Sequence, residues 1–371
     1  MNRDLDGKSR TGPRISAGRP ARFRTCAALA TALVGAAVPL CAAAPNGARY
    51  DQPPRKVLIA TVVSGYEINS QPLEQRFDRM GRIVDEAEAK AAVQFPGRRL
   101  DLVVFPEYLF ARPGGSLREQ AVRLDDILPR IGDRARRSRC YIVAPAILVE
   151  ENGVKFSNAA LLVDRSGSLA GIYRKVHPVA PQGSAVLEGG ITPGRGFPVF
   201  SCDFGRVGIQ ICFDLLYPDG WASLARQGAE IVVLPTASPE STRPCAYALA
   251  HEYYIVSSAP RDHAAVYSPL GLIEVEATHK GEVLVHEIDL SFAILHWEAA
   301  LDEGRALTRR FGGRVGYRYY RSEDKGIFWS NDPTMPLGRM LTEIRMLDSD
   351  ANAERLRLIQ DKARGSPPVA R

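Results

Sequence analysis

The chain contains no CxxC pair, and none of its six cysteines stands at metal-ligand spacing from one of its six histidines. A zinc site is therefore not expected. No internal repeat is present, which excludes solenoid and propeller arrays. Beyond the N-terminal leader there is no low-complexity tract and no second long apolar run, so an enzyme with several membrane spans is not expected either. An excess of one charge is also missing from the body. The formal net charge is +6, but residues 1–44 hold seven Arg/Lys against Asp4 and Asp6, while the remainder carries 41 basic and 40 acidic residues. The basic balance describes the leader and gives no ground for a nucleic-acid partner. What is there is ordinary globular composition: 371 residues, 45% hydrophobic and 24% charged, enough for one large domain or two small ones.

Residues 1–44 read as a signal or leader segment. An Arg-rich stretch ends at Arg24, an uncharged run rich in Ala, Leu and Val follows from 26 to 44, and Ala42-Ala43-Ala44 supplies small residues for a signal peptidase. Pro45 is unfavourable just after a cut, and Pro39-Leu40 before Cys41 lacks the small residues of a lipoprotein site. The reading is export to a periplasmic or extracellular space, with a leader anchor as the one membrane contact. The alternative is an over-long start before a cytoplasmic enzyme.

Residues 45–55, with three prolines, read as a linker. A nearly continuous apolar run at 56–63 predicts a strand covered on both faces. Leu73, Phe77, Met80, Val84 and Ala87 at helical spacing predict a helix over 71–93. Further strands are expected at 101–105 and 141–148, with a helix over 117–137 between them. Asp164-Arg165-Ser166-Gly167 and Phe204-Gly205 mark hairpins between 155–163 and 168–174 and between 197–203 and 206–212. A helix at 218–227, a strand at 230–234, a helix at 243–251, a strand at 253–259 and a meander of strands up to 288 complete the pattern. Strand–helix alternation interrupted by hairpins predicts an α/β fold with a mixed sheet, in one domain over 56–290. Residues 291–371 read as a C-terminal extension, with a helix over 292–310, an aromatic and basic patch (Tyr317, Tyr319, Tyr320, Phe328, Trp329) and a charged helix over 337–363.

Three polar residues close buried-looking strands. Glu107 ends Val103-Val104-Phe105-Pro106-Glu107, Lys175 follows Tyr173-Arg174, and Cys212 follows Gly208-Ile209-Gln210-Ile211. Singly they are unremarkable: a strand-end cysteine is usually a small buried hydrophobe, a Pro-Glu a helix cap, a lysine a solvated rim charge. Together they occupy the carboxyl ends of three strands, where α/β sheets bind ligands. A thiol nucleophile, a carboxylate base and an ammonium for a developing oxyanion are the parts of an acyl-transfer site. Cys212 also precedes Phe213-Asp214 and a helix start near Pro218, so the Phe213 backbone N–H becomes a candidate oxyanion donor.

These three segments resemble the catalytic signatures of the nitrilase (carbon–nitrogen hydrolase) superfamily, in its order and spacing. Gly228 to Thr236 and the 281–289 segment, ending Glu287-Ile288-Asp289, are similar as well, so the likeness covers about 56–290. The resemblance implies a four-layer αββα sandwich that pairs into homodimers or larger assemblies, a Glu107–Lys175–Cys212 triad, and no metal or organic cofactor. It also implies a second glutamate after the lysine that orients substrate; Glu188 matches that position, with a loop carboxylate facing water as the alternative. His177 stands where the family often has a supporting histidine. Tyr108, Tyr217, Pro239 and His263 fall near the expected pocket mouth.

Cys-Phe-Asp resembles the amidase and carbamoylase branches rather than the Cys-Trp-Glu of nitrilases. It implies hydrolysis of a small-molecule amide, or of an N-carbamoyl or ureido group, through a thioester. An arginine common in amidase-branch relatives after this motif is replaced by Leu215-Leu216-Tyr217, which favours a neutral or apolar acyl group. Cys-Phe-Asp-Leu-Leu-Tyr shares a few residues with the secreted pantetheinase and biotinidase branch. Tyr247-Ala248-Leu249-Ala250-His251 departs from the family's usual Arg-Ala-x-Glu-Asn. The alternatives are nitrile hydrolysis, acyl transfer to an amine, and a non-catalytic binding protein on the same scaffold. Replacing Glu107 or Lys175 by Ala is expected to abolish turnover. Activity that survives Lys175→Ala and dies in His177→Ala would mean a Cys–His pair instead.

Overall fold

The apolar run at the head of the body forms β1 (Lys56–Val62), buried at every position after Lys56. The structure, a computed structural model, describes residues 48–65 and 71–365; the leader reading, with Cys26 and Cys41, lies outside the described residues. The helical spacing after β1 gives α1 (Leu73–Gln94), which buries Phe77, Met80, Val84, Ala87 and Ala91 along one face. β2 (Leu102–Val104), α2 (Leu124–Ser138) and β3 (Tyr141–Glu150) follow, then β4 (Lys155–Val163) and β5 (Leu169–Arg174). The Asp164 turn between β4 and β5 closes as its sequence requires: Asp164 Oδ1 accepts the N–H groups of Ser166 and Ser168, and Gly167 supplies a φ of 84°.

The second half repeats the scheme. It contains β6 (Val199–Ser201), β7 (Arg206–Ile209), α3 (Pro218–Arg226), β8 (Ile231–Pro235), α4 (Thr242–His251), β9 (Tyr254–Ser258), β10 (Ala264–Tyr267) and β11 (Ile273–Ala277). β12 (Val283–Asp289) does not extend the meander. It returns to the first sheet and pairs antiparallel with β1 over its whole length, Lys56 opposite Asp289. The result is two six-stranded sheets, ordered β12-β1-β2-β3-β4-β5 and β11-β10-β9-β8-β7-β6.

Strand alternation assigns the layers. Leu58, Ala60, Val103 and Leu161 face α1 and α2 in one cluster, while Val57, Ile59, Leu102, Val104, Ala160 and Leu162 face the other sheet. From the second sheet Val207, Ile209, Ile231, Val233 and Val256 point inward, and Val232 and Ile255 pack under α3 and α4. This is the expected α/β sandwich of four layers, αββα, with its core between the sheets.

Several local expectations are corrected. The predicted 117–137 helix begins only at Leu124, because the preceding stretch is tied into a loop by backbone bonds such as Phe110 N–H to Pro145 and Val122 N–H to Ile147. The 206–212 strand ends at Ile209, and Cys212 opens a one-turn 3-10 segment, Cys212–Leu216. The predicted 292–310 helix is instead β13 (Phe292–His296) followed by α5 (Arg305–Phe311). The aromatic patch is β14 (Val315–Tyr320) and β15 (Lys325–Ser330), which make a third sheet, β13-β15-β14. The 337–363 helix is two, α6 (Leu337–Glu343) and α7 (Ser349–Arg364).

The extension's period was misread because its strands are buried on both faces. Phe292 and Ile327 enter the inter-sheet core, whereas Ala293, Leu295 and Phe328 pack on α5 and α6. Charge seals the junction: Glu274, 4% exposed, meets His286 at 2.8 Å and Arg318 at 2.7 Å. Residues 49–51 form a short turn rather than a free linker; Arg49 pairs with Glu252 and lies over the Phe292 ring. Phe292→Ala is expected to lower stability by about 3–5 kcal/mol in denaturant unfolding. Val93→Ala, at an 80% exposed position, should stay within about 0.5 kcal/mol. A loss at Phe292 no larger than at Val93 would make the third sheet an accessory layer.

Candidate active site

The inter-sheet layer turns from apolar to polar at one end. Asn158 lies two residues before Ala160 on β4, and Lys175 two residues after Tyr173 on β5, so both continue the faces that point between the sheets. β4 and β5 are joined at this point by Lys175 N–H to the Asn158 carbonyl, 2.8 Å. Glu107 leaves the end of β2, Cys212 follows β7, and Ala237 follows β8. The sandwich thus gathers four strand ends and two sheets around one spot.

The charged groups there are almost wholly removed from water. Lys175 is 1% exposed, and its Nζ donates to Glu107 Oε1 at 3.0 Å and to Glu188 Oε1 at 2.5 Å. Asn158 Nδ2 donates to Glu107 Oε1 at 2.7 Å and to Glu188 Oε2 at 3.1 Å. The Ala237 N–H donates to Glu107 Oε2 at 3.0 Å, and the Val179 N–H to Glu188 Oε1 at 3.0 Å. Burial disfavours the Lys175 ammonium, but Glu107, Cys212 and Glu188 outweigh it and hold its pKa above the ordinary lysine value. Glu188 is therefore no loop carboxylate facing water.

Cys212 is half-buried and has φ 47°, in the left-handed region. Its turn is fixed by Asp214, wholly buried, whose Oδ2 accepts the Ile211 N–H at 2.9 Å and the Tyr173 hydroxyl at 2.7 Å. The first bond of the turn runs from Asp214 N–H to the Ile211 carbonyl. That leaves the Phe213 N–H, one residue earlier, without an acceptor inside the turn, as at any helix start. Burial first, then the Glu107 carboxylate, push the Cys212 thiol up to about 11, against Lys175 and hydrogen bonds from Thr236 and Ala237. At rest Cys212 is a thiol beside a carboxylate, so a nucleophilic role for it requires a base to take its proton.

Tyr108 and Glu188 share the positive φ of Cys212, at 65° and 41°. Such backbone cost clusters where surrounding structure dictates geometry for function. The Tyr108 hydroxyl faces Glu107, and burial followed by the charges of Glu107, Glu188 and Cys212 raises its pKa well above the usual tyrosine value. The structure therefore brings Glu107, Lys175, Cys212, Glu188 and Tyr108 together.

His177 stands differently. Its backbone N–H and ring Nδ1 both meet Asp214 Oδ1, at 2.9 and 3.0 Å, and its ring stacks on Tyr217 at 3.9 Å. It braces the nucleophile's turn through Asp214, and Tyr217, 40% exposed, covers it. His263 is engaged with Glu276 at 3.0 Å and Tyr267 at 3.5 Å; it is not brought into the charged cluster.

Two contributors were missed from sequence. Asn158 gave no signal, being one polar residue in a strand. Arg76, fully buried on α1, donates to the carbonyls of Tyr108 and Leu109, each at 2.9 Å, and so pins the loop that carries Glu107. Burial lowers its pKa to about 10. Gly194 is also positional: a Cβ there would meet the Arg174 carbonyl oxygen at 2.1 Å, where the Gly194 N–H bonds to the Lys175 carbonyl. Among the described residues no cluster of His, Cys, Asp and Glu could hold a metal ion, and no helix is long and apolar enough to cross a membrane.

The chain belongs to the carbon–nitrogen hydrolase family, whose model matches residues 61–294. It is 27% identical over 209 residues to the omega-amidase NIT2-B of Xenopus laevis, covering 51% of this chain and 71% of that protein. To the N-carbamoylputrescine amidase of Arabidopsis thaliana it is 37% identical over 98 residues, 26% of this chain and 32% of that one. The fold is shared with Nit3 of Saccharomyces cerevisiae, a member of branch 10 of the nitrilase superfamily, at TM-score 0.54 and 20% identity over 63% of this chain and 90% of that one.

Because the Glu107 charge helps hold the thiol up, the titration midpoint of Cys212, followed as thiolate ultraviolet absorbance against Cys212→Ala, should fall by about one unit in Glu107→Gln. An unmoved or raised midpoint would show that the thiol does not feel this carboxylate.

Proposed function

We propose that the protein hydrolyses a carbon–nitrogen bond in a small amide or in an N-carbamoyl (ureido) compound, with Cys212 as nucleophile. The observation that carries this reading is the buried Glu107–Lys175 pair, 3.0 Å apart, set against a protonated thiol. Glu107 takes the thiol proton as the sulfur adds to the substrate carbonyl, forming a C–S bond and a tetrahedral oxyanion. Lys175 and the Phe213 N–H stabilise that negative charge. The oxyanion collapses, the C–N bond breaks, and Glu107 returns its proton to the departing nitrogen. Glu107 then deprotonates a water that attacks the thioester, and the proton passes to the leaving sulfur. The atoms balance with substrate and water alone. Glu188, bound to Lys175 and Asn158, orients this apparatus.

The printed names of the relatives, an omega-amidase and an N-carbamoylputrescine amidase, support amide and carbamoyl substrates over nitriles. Leu216, 41% exposed on the nucleophile's own turn, supports a neutral acyl group, since no cation stands there to meet a carboxylate. The same reading carries self-assembly into a homo-oligomer and, from the leader, export. An ammonia-release screen over aliphatic amides, N-carbamoyl amino acids, ureido acids and nitriles tests it, with Cys212→Ala as the control. Turnover of amides or carbamoyl compounds by the wild type alone is the expected result. Nitrile turnover without amide turnover, or activity that survives Cys212→Ala, would overturn it. Binding of these compounds without turnover would identify a non-catalytic member of the family.

A further inference from the structure

Asn158 occupies a place that no catalytic step above uses. It is 1% exposed on β4, and its amide nitrogen is shared between the two site carboxylates, at 2.7 Å from Glu107 and 3.1 Å from Glu188. Its orientation is fixed by chemistry: a flipped amide would turn its oxygen toward two carboxylates. The consequence is an Oδ1 that is buried without a hydrogen-bond partner among the described residues. A buried orphan acceptor is costly, and apolar residues fill the neighbouring inward positions of β4, Ala160 and Leu162. Packing alone gives no reason for an asparagine here.

Glu107 supplies the reason. Its Oε1 accepts from both Lys175 and Asn158, while Oε2 accepts from the Ala237 N–H, which also hydrogen-bonds the Cys212 sulfur. A carboxyl oxygen that already accepts two donors has no room for a proton of its own. We infer that Asn158 is a positioning residue that reserves Glu107 Oε1 as an acceptor, so that the catalytic proton is carried only on Oε2, the oxygen on the nucleophile's side. Without it, Oε1 keeps one donor, protonation there competes, and part of the enzyme holds its proton facing away from sulfur and leaving nitrogen. The groups that face Glu107 are Lys175 from the end of β5, Asn158 from β4, Cys212 from the turn after β7, Tyr108 from its own loop, and Glu188 across Lys175. Of these side chains, Asn158 is the one that does not itself titrate.

The inference rests on Glu107 acting as the base, and its test separates the two. The pH midpoint of the Glu107 carboxyl is read by infrared difference spectroscopy on the full chain, as the band absent from Glu107→Gln; this needs no substrate. Loss of a donor to the charged form should raise the midpoint by about one unit in Asn158→Ala. Asn158→Asp, of the same shape, should raise it further at neutral pH, where the new carboxylate repels. Ammonia release from propionamide, or from whichever amide the wild type cleaves best, should fall in kcat at least tenfold in both variants with KM little changed. Asn158→Asp should recover part of this toward acid pH, where its protonated carboxyl donates again. A folded Asn158→Ala or Asn158→Asp with an unmoved midpoint overturns the inference. A shifted midpoint beside a fully active Glu107→Gln leaves the hydrogen-bond role standing and overturns the base assignment.

Discussion

Everything at the candidate site depends on one buried ammonium. Lys175 lies between Glu107 and Glu188, all three nearly without contact with water. Removing one partner from such a group typically costs about 3–5 kcal/mol, because the remaining charge stays buried. The three side chains are therefore mutually obligatory, and the elements that carry them must arrive together: the end of β2, the end of β5 and the short turn around Glu188. Two carboxylates against one ammonium leave an excess negative charge, which the N–H groups of Asn158, Ala237 and Val179 disperse. Burial first, and then the Glu107 charge, make the neighbouring thiol resist ionisation. Under the proposed mechanism, proton transfer and nucleophilic attack become one event instead of attack by a stored thiolate.

Sequence alone revealed much of the frame. Strands with continuous apolar runs, such as 56–63, and helices with a clear period, such as 71–93, declared themselves because burial and periodicity act locally. Glu107, Lys175 and Cys212 were recognisable as polar residues closing such strands. Other features depend on partners distant in the chain. β13 reads as helix because both of its faces are covered, so alternation is lost. β12 reads as the end of a meander, and only pairing with β1, more than 200 residues earlier, assigns it to the other sheet. Asn158 and Arg76 were invisible for the same reason: their importance lies in what they touch across the fold.

The left-handed backbone at Tyr108, Glu188 and Cys212 gives the site a mechanical character. Each residue sits just beyond a rigid strand or within a single turn, and each is held by bonds that originate elsewhere: Arg76 for the Tyr108 loop, Asp214 for the Cys212 turn, reciprocal backbone and side-chain bonds between Val179 and Glu188. The candidate catalytic groups are thus presented by constrained connections whose conformations the supporting residues dictate.

The return of β12 to β1, and the entry of Phe292 and Ile327 into the inter-sheet core, set the order in which the molecule can come into being. The chain's first strand is laid against one of its last, and the core is closed only by residues near the far end of the chain. During synthesis at about 5–20 residues per second, β1 waits on the order of tens of seconds for its partner. Through that interval α1 and β2 can already cover part of β1, but its other edge and the far end of the inter-sheet core stay open.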